Sequence, residues 1–301
     1  MTKTYTTWRE DITQVYDQSC GNRVESVEDA NKMVGAGFVM DATGYSLELN
    51  HSKETVWPAQ PDDPDELADT LTEFAVLSGA FILNLSTPLF MGFERPYTLT
   101  LQRDGVMNVN SNSMVSTESK AGTNGSVRVD MYDNSRLQLD CTIFSWDGDF
   151  SINDNAVMAV SARSVDPYDH LTELHGTSTL NLAADQISAG AEPWRVSLFE
   201  GAPKLNIMAR SAGGDPLQST DAEAAYPKAI IDFASSTRGT VVLDTPEAHA
   251  FTMGLLNERG TFSVDGRVIN IQGNGAFNVT YNSSVQRDGF TTGTITITKV
   301  R

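Results

Sequence analysis

Positive charge is scarce in this chain. Its 301 residues hold 21 Lys and Arg against 39 Asp and Glu, a formal net charge of −18. Phosphate backbones are held by a positive field, so a general nucleic-acid groove is not expected. Cysteine is scarcer still. Cys20 and Cys141 are too few for a disulfide framework, and their spacing is not that of a metal knuckle. Long apolar runs are missing too, because Asn84 and Pro88 break the longest one, so no membrane-crossing helix is expected. The opening Met1-Thr-Lys-Thr-Tyr5 lacks the apolar stretch of an export signal. The expectation is therefore a soluble chain made in the cytosol, in which the sequons at Asn84 and Asn278 occur by chance. Phosphate-binding loops, dinucleotide fingerprints, nucleophile elbows and reactive-cysteine contexts are absent from the sequence, so no cofactor is expected.

What is present suffices for a core: 40% of residues are apolar and 20% charged, unlike a disordered chain. The acid is unevenly spread. Residues 1–95 hold 6 basic and 16 acidic residues, and the remaining 206 hold 15 and 23. Two readings stay open for the acidic first part: a solvated face, or a surface for a basic protein partner.

Residues 1–96 read as a small α+β module. Thr7-Trp-Arg-Glu10 has the form of a capping box, with Trp8, Ile12, Val15 and Tyr16 following at helical spacing and Gly21 as the stop. Ser26-Val-Glu-Asp29 opens a shorter helix ending at Gly35. Asp63-Pro64-Asp65-Glu66 supplies a cap, a proline at the first helical position and acid in the first turn. Leu67, Leu71, Phe74 and Ala75 then share one face, and Gly79 ends that third helix. Phe38-Val-Met and Tyr45-Ser-Leu-Glu-Leu flank Gly44 as hairpin strands do, and residues 81–85 read as a buried strand. Such a module would cap exposed strand edges, dock a partner, or do both.

From residue 97 to 301 a different pattern recurs: Gly, any residue, apolar, any residue, apolar, then Asn, Asp or a close substitute. It begins at Gly105, Gly125, Gly148, Gly239, Gly260 and Gly275, with looser copies at Gly176 and Gly201. Further short strands fall between copies, at 135–140, 156–160 and 267–271. Alternation sends every second side chain inward. The glycine allows a tight corner at positive φ, and the closing Asn or Asp can bond its own backbone at the next corner. Several strands per repeat, stacked repeat on repeat, describe a right-handed parallel β-solenoid. The rival is an antiparallel sandwich or barrel, for which Asp104-Gly105, Asn124-Gly125, Asp147-Gly148 and Asp265-Gly266 would serve as hairpin turns. Excursions at 162–175, 183–200 and 209–228 interrupt the pattern and would line a binding side.

These glycine-led segments resemble the coils of right-handed β-helix proteins of the pectate-lyase-like class, which includes bacteriophage tailspikes and other virion proteins. The resemblance covers residues 97–301. It implies a non-enzymatic structural or adhesive virion component, such as a head decoration, fibre or tail-associated protein. It further implies a homo-oligomer that contacts other virion proteins through residues 1–96, and a host-surface glycan as a ligand. A polysaccharide-cleaving tailspike is the enzymatic alternative, and an intracellular interaction protein with an acidic face is the third reading.

Glycan cleavage needs two carboxyl groups at a set separation. Asp147, Asp149 and Asp154, beside Trp146, and Asp130, Asp133 and Asp140 one repeat earlier, are candidates; turn duty is the competing role for each. The stretch beginning at Asp147 fails as a calcium loop, since Ile152 and Met158 stand where Gly and Glu are required. His170 and His175, with Glu173 between them, lack the spacing of a helical metal pair. No catalytic or metal residue is therefore assigned. Trp146, Asp147, Asp149, Tyr168 and Trp194 are the candidate ligand or partner contacts, with core packing as the alternative for the tryptophans.

Overall fold

The computed structural model describes residues 3–7, 13–27, 37–52, 55–57, 73–91, 97–116, 127–146, 148–167, 171–187, 194–210, 217, 228–245, 250–272, 275–287 and 290–300. The chain is mainly β and divides into two compact units, Met1–Phe150 and Ser151–Arg301. In each unit the strands form a large, mostly parallel sheet, so the antiparallel sandwich is set aside.

In the first unit, strands from separate stretches of chain join two long parallel ladders. One runs through Lys3–Thr4, Gln14–Asp17, residues 38–41, residues 73–78, Tyr97–Leu101 and Val127–Met131. The other runs through Arg23–Ser26, residues 46–51, residues 80–85, Val106–Ser116 and Arg136–Trp146. A third, shorter ladder joins Thr55–Trp57, Leu89–Met91 and residues 114–116. Register keeps like with like. Tyr16, Met40, Val76, Leu101 and Met131 are successive partners, and all are fully buried. Leu49, Leu83, Val109 and Leu139 form a second buried column. Each such side chain contributes about 1.5–3 kcal/mol by leaving water.

The amino-terminal expectations need correcting. Residues 14–17 are a strand rather than helix, because burial alternates there: Gln14 and Tyr16 are buried, Val15 and Asp17 less so. A 3-10 turn, Gln18–Cys20, follows, with Asp17 accepting from the Ser19 backbone N–H at 2.9 Å and Gly21 closing it at φ 69. Ser26 ends a strand, while Trp8, Ile12 and residues 28–36 and 58–72 lie outside the described residues. Phe74 and Ala75 belong to the strand Glu73–Leu85, in which Gly79 turns a corner at φ 84. Residues 38–51 are not a hairpin either. They form one strand, and each half pairs in parallel with the matching half of Glu73–Leu85.

The repeat-opening Gly176, Gly201, Gly260 and Gly275 take the expected positive φ (65°, 96°, 69° and 73°), but other corners differ from the glycine turn. Positive φ falls on Arg103 (51°), Asp133 (58°) and Asp154 (55°), not on Gly105. An Asp at such a position hydrogen-bonds locally and so tolerates it. Asp133 accepts from the Arg103 backbone N–H at 2.9 Å, and the Asn134 N–H donates back to the Arg103 carbonyl at 2.9 Å. Gly105 is needed for another reason: a Cβ there would run into the Val76 carbonyl oxygen. Ser135 holds the matching place one strand pair later, since Arg136 is the partner of Val106.

In the second unit, Leu171–Gly176, Arg195–Gly201, Ile231–Phe233 and Phe262–Val264 form one parallel ladder. Val157–Pro167, Thr179–Ile187, Lys204–Ala209 and Thr240–Thr245 form the other. Much of the expected excursions at 162–175 and 183–200 is therefore strand. The second ladder ends antiparallel: Phe290–Lys299 pairs with Thr240–Thr245 and then with Phe277–Arg287. Asp265-Gly266, at φ 47° and 75°, is a true hairpin turn between Phe262–Val264 and Arg267–Val268. Arg267 and Val268 are exposed, so 267–271 is not the expected inward strand. One helix, Ala250–Glu258, was not foreseen. Gly260 at φ 69 ends it, its N–H reaching the Asn257 carbonyl while the Thr261 N–H reaches that of Leu256. The repeat-opening glycine at 260 is thus a helix terminator.

Two outcomes are expected from these contacts. Gly105→Ala should lower the free energy of unfolding by about 1–3 kcal/mol through overpacking. Ser135→Ala should be neutral or stabilising, because that hydroxyl is buried without a hydrogen-bond partner among the described residues. Denaturant melts of both variants check this, and equal losses would refute it. The second outcome concerns Tyr16, whose hydroxyl donates to the carbonyls of Gly21 (2.7 Å) and Ser46 (3.1 Å). Burial pushes its phenol up to about 12. Its contribution is then intact below the ordinary tyrosine value, about 10, and is lost as pH rises through about 12. Tyrosinate absorbance and circular dichroism should change together across that window; ionisation of every tyrosine in a folded chain would contradict it.

Candidate functional site

Three of the acids singled out in the sequence, Asp130, Asp133 and Asp140, accept hydrogen bonds from their neighbours. Asp130 accepts from the Arg128 Nε at 2.8 Å, which raises the arginine above its ordinary value, with weaker support from Tyr132 and Asp149. Asp133 holds its corner, and Asp140 accepts from the Gln138 Nε2 at 3.1 Å. Asp154 sits at a left-handed corner with its carbonyl accepting from the Thr177 N–H at 2.7 Å. Asp149 is exposed on the strand Gly148–Ile152. Asp147 and Tyr168 lie outside the described residues, as does His170.

The tryptophans take the core placement. Trp146 is 0% exposed, with its ring stacked 4.7 Å from Phe150 and 5.7 Å from Phe144. Trp194 is 2% exposed. Neither indole presents an open face to a sugar. His175 stacks on Phe199 at 4.5 Å, with Nδ1 3.4 Å from the Glu200 carboxylate and Nε2 3.9 Å from that of Glu173. Hydrogen bonds from its own backbone and from His175 hold the Glu200 carboxyl below the usual range. Among the described residues no group of three or more His, Cys, Asp or Glu is placed to share a metal ion, and no helix is long and apolar enough to cross a membrane.

A different surface gathers ligand-binding chemistry. In the first unit an open groove of about 820 Å³ is lined by Ser26, Val27, Asn50, His51, Ser52, Asn84, Leu85, Ser86 and Asn110. Its floor follows from register. Asn50, Asn84 and Asn110 are successive partners on the solvent side of the second ladder, and their amides form a chain. The Asn84 Nδ2 donates to the Asn50 Oδ1 at 2.9 Å, and the Asn110 Nδ2 donates to the Asn84 Oδ1 at 2.8 Å.

Glu48 sets the direction of that chain. Its Oε1 accepts from Asn50 Nδ2 at 3.2 Å and from Asn84 Nδ2 at 2.9 Å. An ionised carboxylate only accepts, so both amides must turn their NH₂ toward it. The Asn84 donors are then both engaged, whereas the amide oxygens of Asn50 and Asn84 each keep a second lone pair. The groove therefore offers aligned acceptors, serine hydroxyls and two aliphatic side chains, with neither Lys, Arg, Asp nor Glu in its lining. That inventory suits a neutral ligand rich in hydroxyl donors better than an anion or a metal cation.

In the sequence pattern only Asn110 holds the closing position expected to bond its own backbone at a corner. Asn84 is a break in an apolar run, and Asn50 belongs to no repeat. The usable signal was positional: Asn50, Asn84 and Asn110 each directly follow an apolar-x-apolar triplet. Asn206 and Asn181 repeat the device in the second unit at 2.7 Å.

No family model, no curated protein and no solved structure matches the chain. Function has to be reasoned from the site alone.

Asn84→Asp should set a second acceptor against Glu48 and cost about 1–3 kcal/mol at neutral pH. The penalty should shrink below about pH 4, where the new carboxyl protonates and becomes a donor again. Urea midpoints measured at both pH values test this, and a pH-independent penalty would contradict the amide direction assigned above.

Proposed function

We propose that this chain is a non-enzymatic structural or adhesive component of a bacteriophage virion, wound as a right-handed parallel β-solenoid, whose adhesive surface is the amide-floored groove. The observation that carries the reading is the pairing order. Along most of the chain each strand pairs in parallel with the strand two places on, in register, as happens when a chain winds round an axis with two main strands per circuit. Right-handed crossover is the rule for parallel connections, which supports the hand.

The adhesive role rests on the groove. Its polar side chains are three asparagines, three serines and one histidine, and hydroxyl-rich surface glycans match aligned amide acceptors. Asp130, Asp133 and Asp140 engage neighbouring side chains or corners, which favours binding over cleavage.

The test is electron microscopy of infected-cell lysates with an antibody against the protein, combined with glycan-array binding. Label on particles, retention of a neutral glycan and loss of that retention in Asn110→Ala are expected. Label only on free cytosolic protein would remove the virion role. Shortening of the retained glycan would replace adhesion with hydrolysis.

A further inference from the structure

We propose that the amide row ends, between Asn110 and Asp140, in a subsite for an ammonium group, so that the glycan held by the groove carries a free amino sugar. The inference rests on the adhesive reading and names the ligand class of that same surface. The first observation is the polarity of the amide chain. The Asn84 Nδ2 donates back toward Asn50, and the Asn110 Nδ2 donates back toward Asn84. An amide turns its oxygen and its NH₂ to opposite sides, so the Asn110 Oδ1 faces away from Asn84. The next strand supplies an acid there. Asp140 is the ladder partner of Asn110, just as Asn110 is the partner of Asn84.

The second observation is that Asp140 cannot continue the chain, because an ionised carboxylate has no proton to give. Its Oδ1 accepts from the Gln138 Nε2 at 3.1 Å, and Gln138 is the partner of Asn108 one position along the same face. At the opposite end of the row two amide NH₂ groups converge on the Glu48 carboxylate. At this end two acceptors meet instead, on strands about 4.8 Å apart, with Asn110 exposed and Asp140 half-buried. Charge and donor count select the occupant. One carboxylate beside neutral amides balances one positive charge, and an ammonium brings three donors, enough for both oxygens with one left for water. A sugar hydroxyl brings a single donor and no charge. Calcium takes six to eight oxygens, and no group of three or more His, Cys, Asp or Glu is placed to share a metal among the described residues. The row of acceptors running on from Asn110 to Asn50 then receives the hydroxyls of the same glycan.

Calorimetric titration of the full chain with β-linked tetramers of glucose, glucosamine and N-acetylglucosamine, which differ at one carbon, tests the proposal. The glucosamine tetramer should bind about tenfold more tightly than the glucose tetramer, the advantage of a charge-assisted hydrogen bond over a neutral one. Acetylation of the amine should abolish that preference, and about 1 M salt should shrink it. Asp140→Asn keeps the side-chain shape and an acceptor for Gln138. It should bring the glucosamine tetramer down to the affinity of the glucose tetramer and leave the latter unchanged. Glu258→Gln removes the same charge from an exposed position at the end of the helix and should keep the preference, which separates the subsite from general attraction to an acidic chain. Circular dichroism melts matching wild type establish that the variants fold, and the wild-type comparison does not depend on them. Equal wild-type affinity for the glucose and glucosamine tetramers, a preference that survives in Asp140→Asn, or binding only with added calcium would overturn the proposal. A wild type that holds the glucose tetramer without preferring the amine refutes the ammonium subsite and leaves the adhesive reading standing. Binding of none of the three, together with an empty glycan array, removes both.

Discussion

Parallel strands paired without a slip hold each residue about 4.8 Å from its counterpart, and nearly everything else in this protein follows from that repetition. A side chain that points into the core in one strand obliges its partners to be apolar. Tyr16, Met40, Val76, Leu101 and Met131 obey this in one unit, and Met158, Leu180, Leu205 and Val241 obey it in the other. The same repetition acts outside the core. It brings the amides of Asn50, Asn84 and Asn110 into one hydrogen-bonded chain, so the floor of the groove arises from the rule that builds the fold.

Register survives only if the corners keep the chain in step. Left-handed residues at Arg103, Asp133 and Asp154 do this with a backbone geometry that costs a non-glycine residue free energy, offset where a side-chain carboxylate caps a backbone N–H of the neighbouring corner. Gly105 serves close approach instead of unusual φ. The register shifts at a few places, between Met40 and Asp41 and again before Ser46 in the first unit and between Leu174 and Gly176 in the second. At the last, two glycines face each other, and a Cβ on Gly201 would collide with the Gly176 carbonyl. The slip carries His175 over Phe199 and beside Glu200, which makes it a local accommodation with its own polar partners.

Charge and chemistry separate over the molecule. The chain is strongly acidic, its groove is nearly neutral, and its last ladder strands lie in a basic segment. An acidic body repels further copies of itself, and neither Lys, Arg, Asp nor Glu lines the groove.

The alternation of apolar residues determined, from sequence alone, which side chains face the core after residue 97: Met107, Val109, Leu137, Leu139, Leu180, Leu182, Leu205 and Ile207 are all buried. A period of two says which side of a strand is apolar. It does not say which strand lies alongside, so antiparallel pairing stands as a rival to the parallel solenoid until long-range register decides. For the same reason residues 14–17 and 74–75 passed for helix: a few apolar residues fit either period, and burial against Met40 and Leu99 decided the matter. The groove was illegible for a related cause. Its amides are 34 and 26 residues apart in the chain, and only stacking makes them neighbours. Trp146 was equally undecided, since an aromatic beside acids suits a surface or a core; contact with Phe144 and Phe150, a tertiary fact, placed it inside.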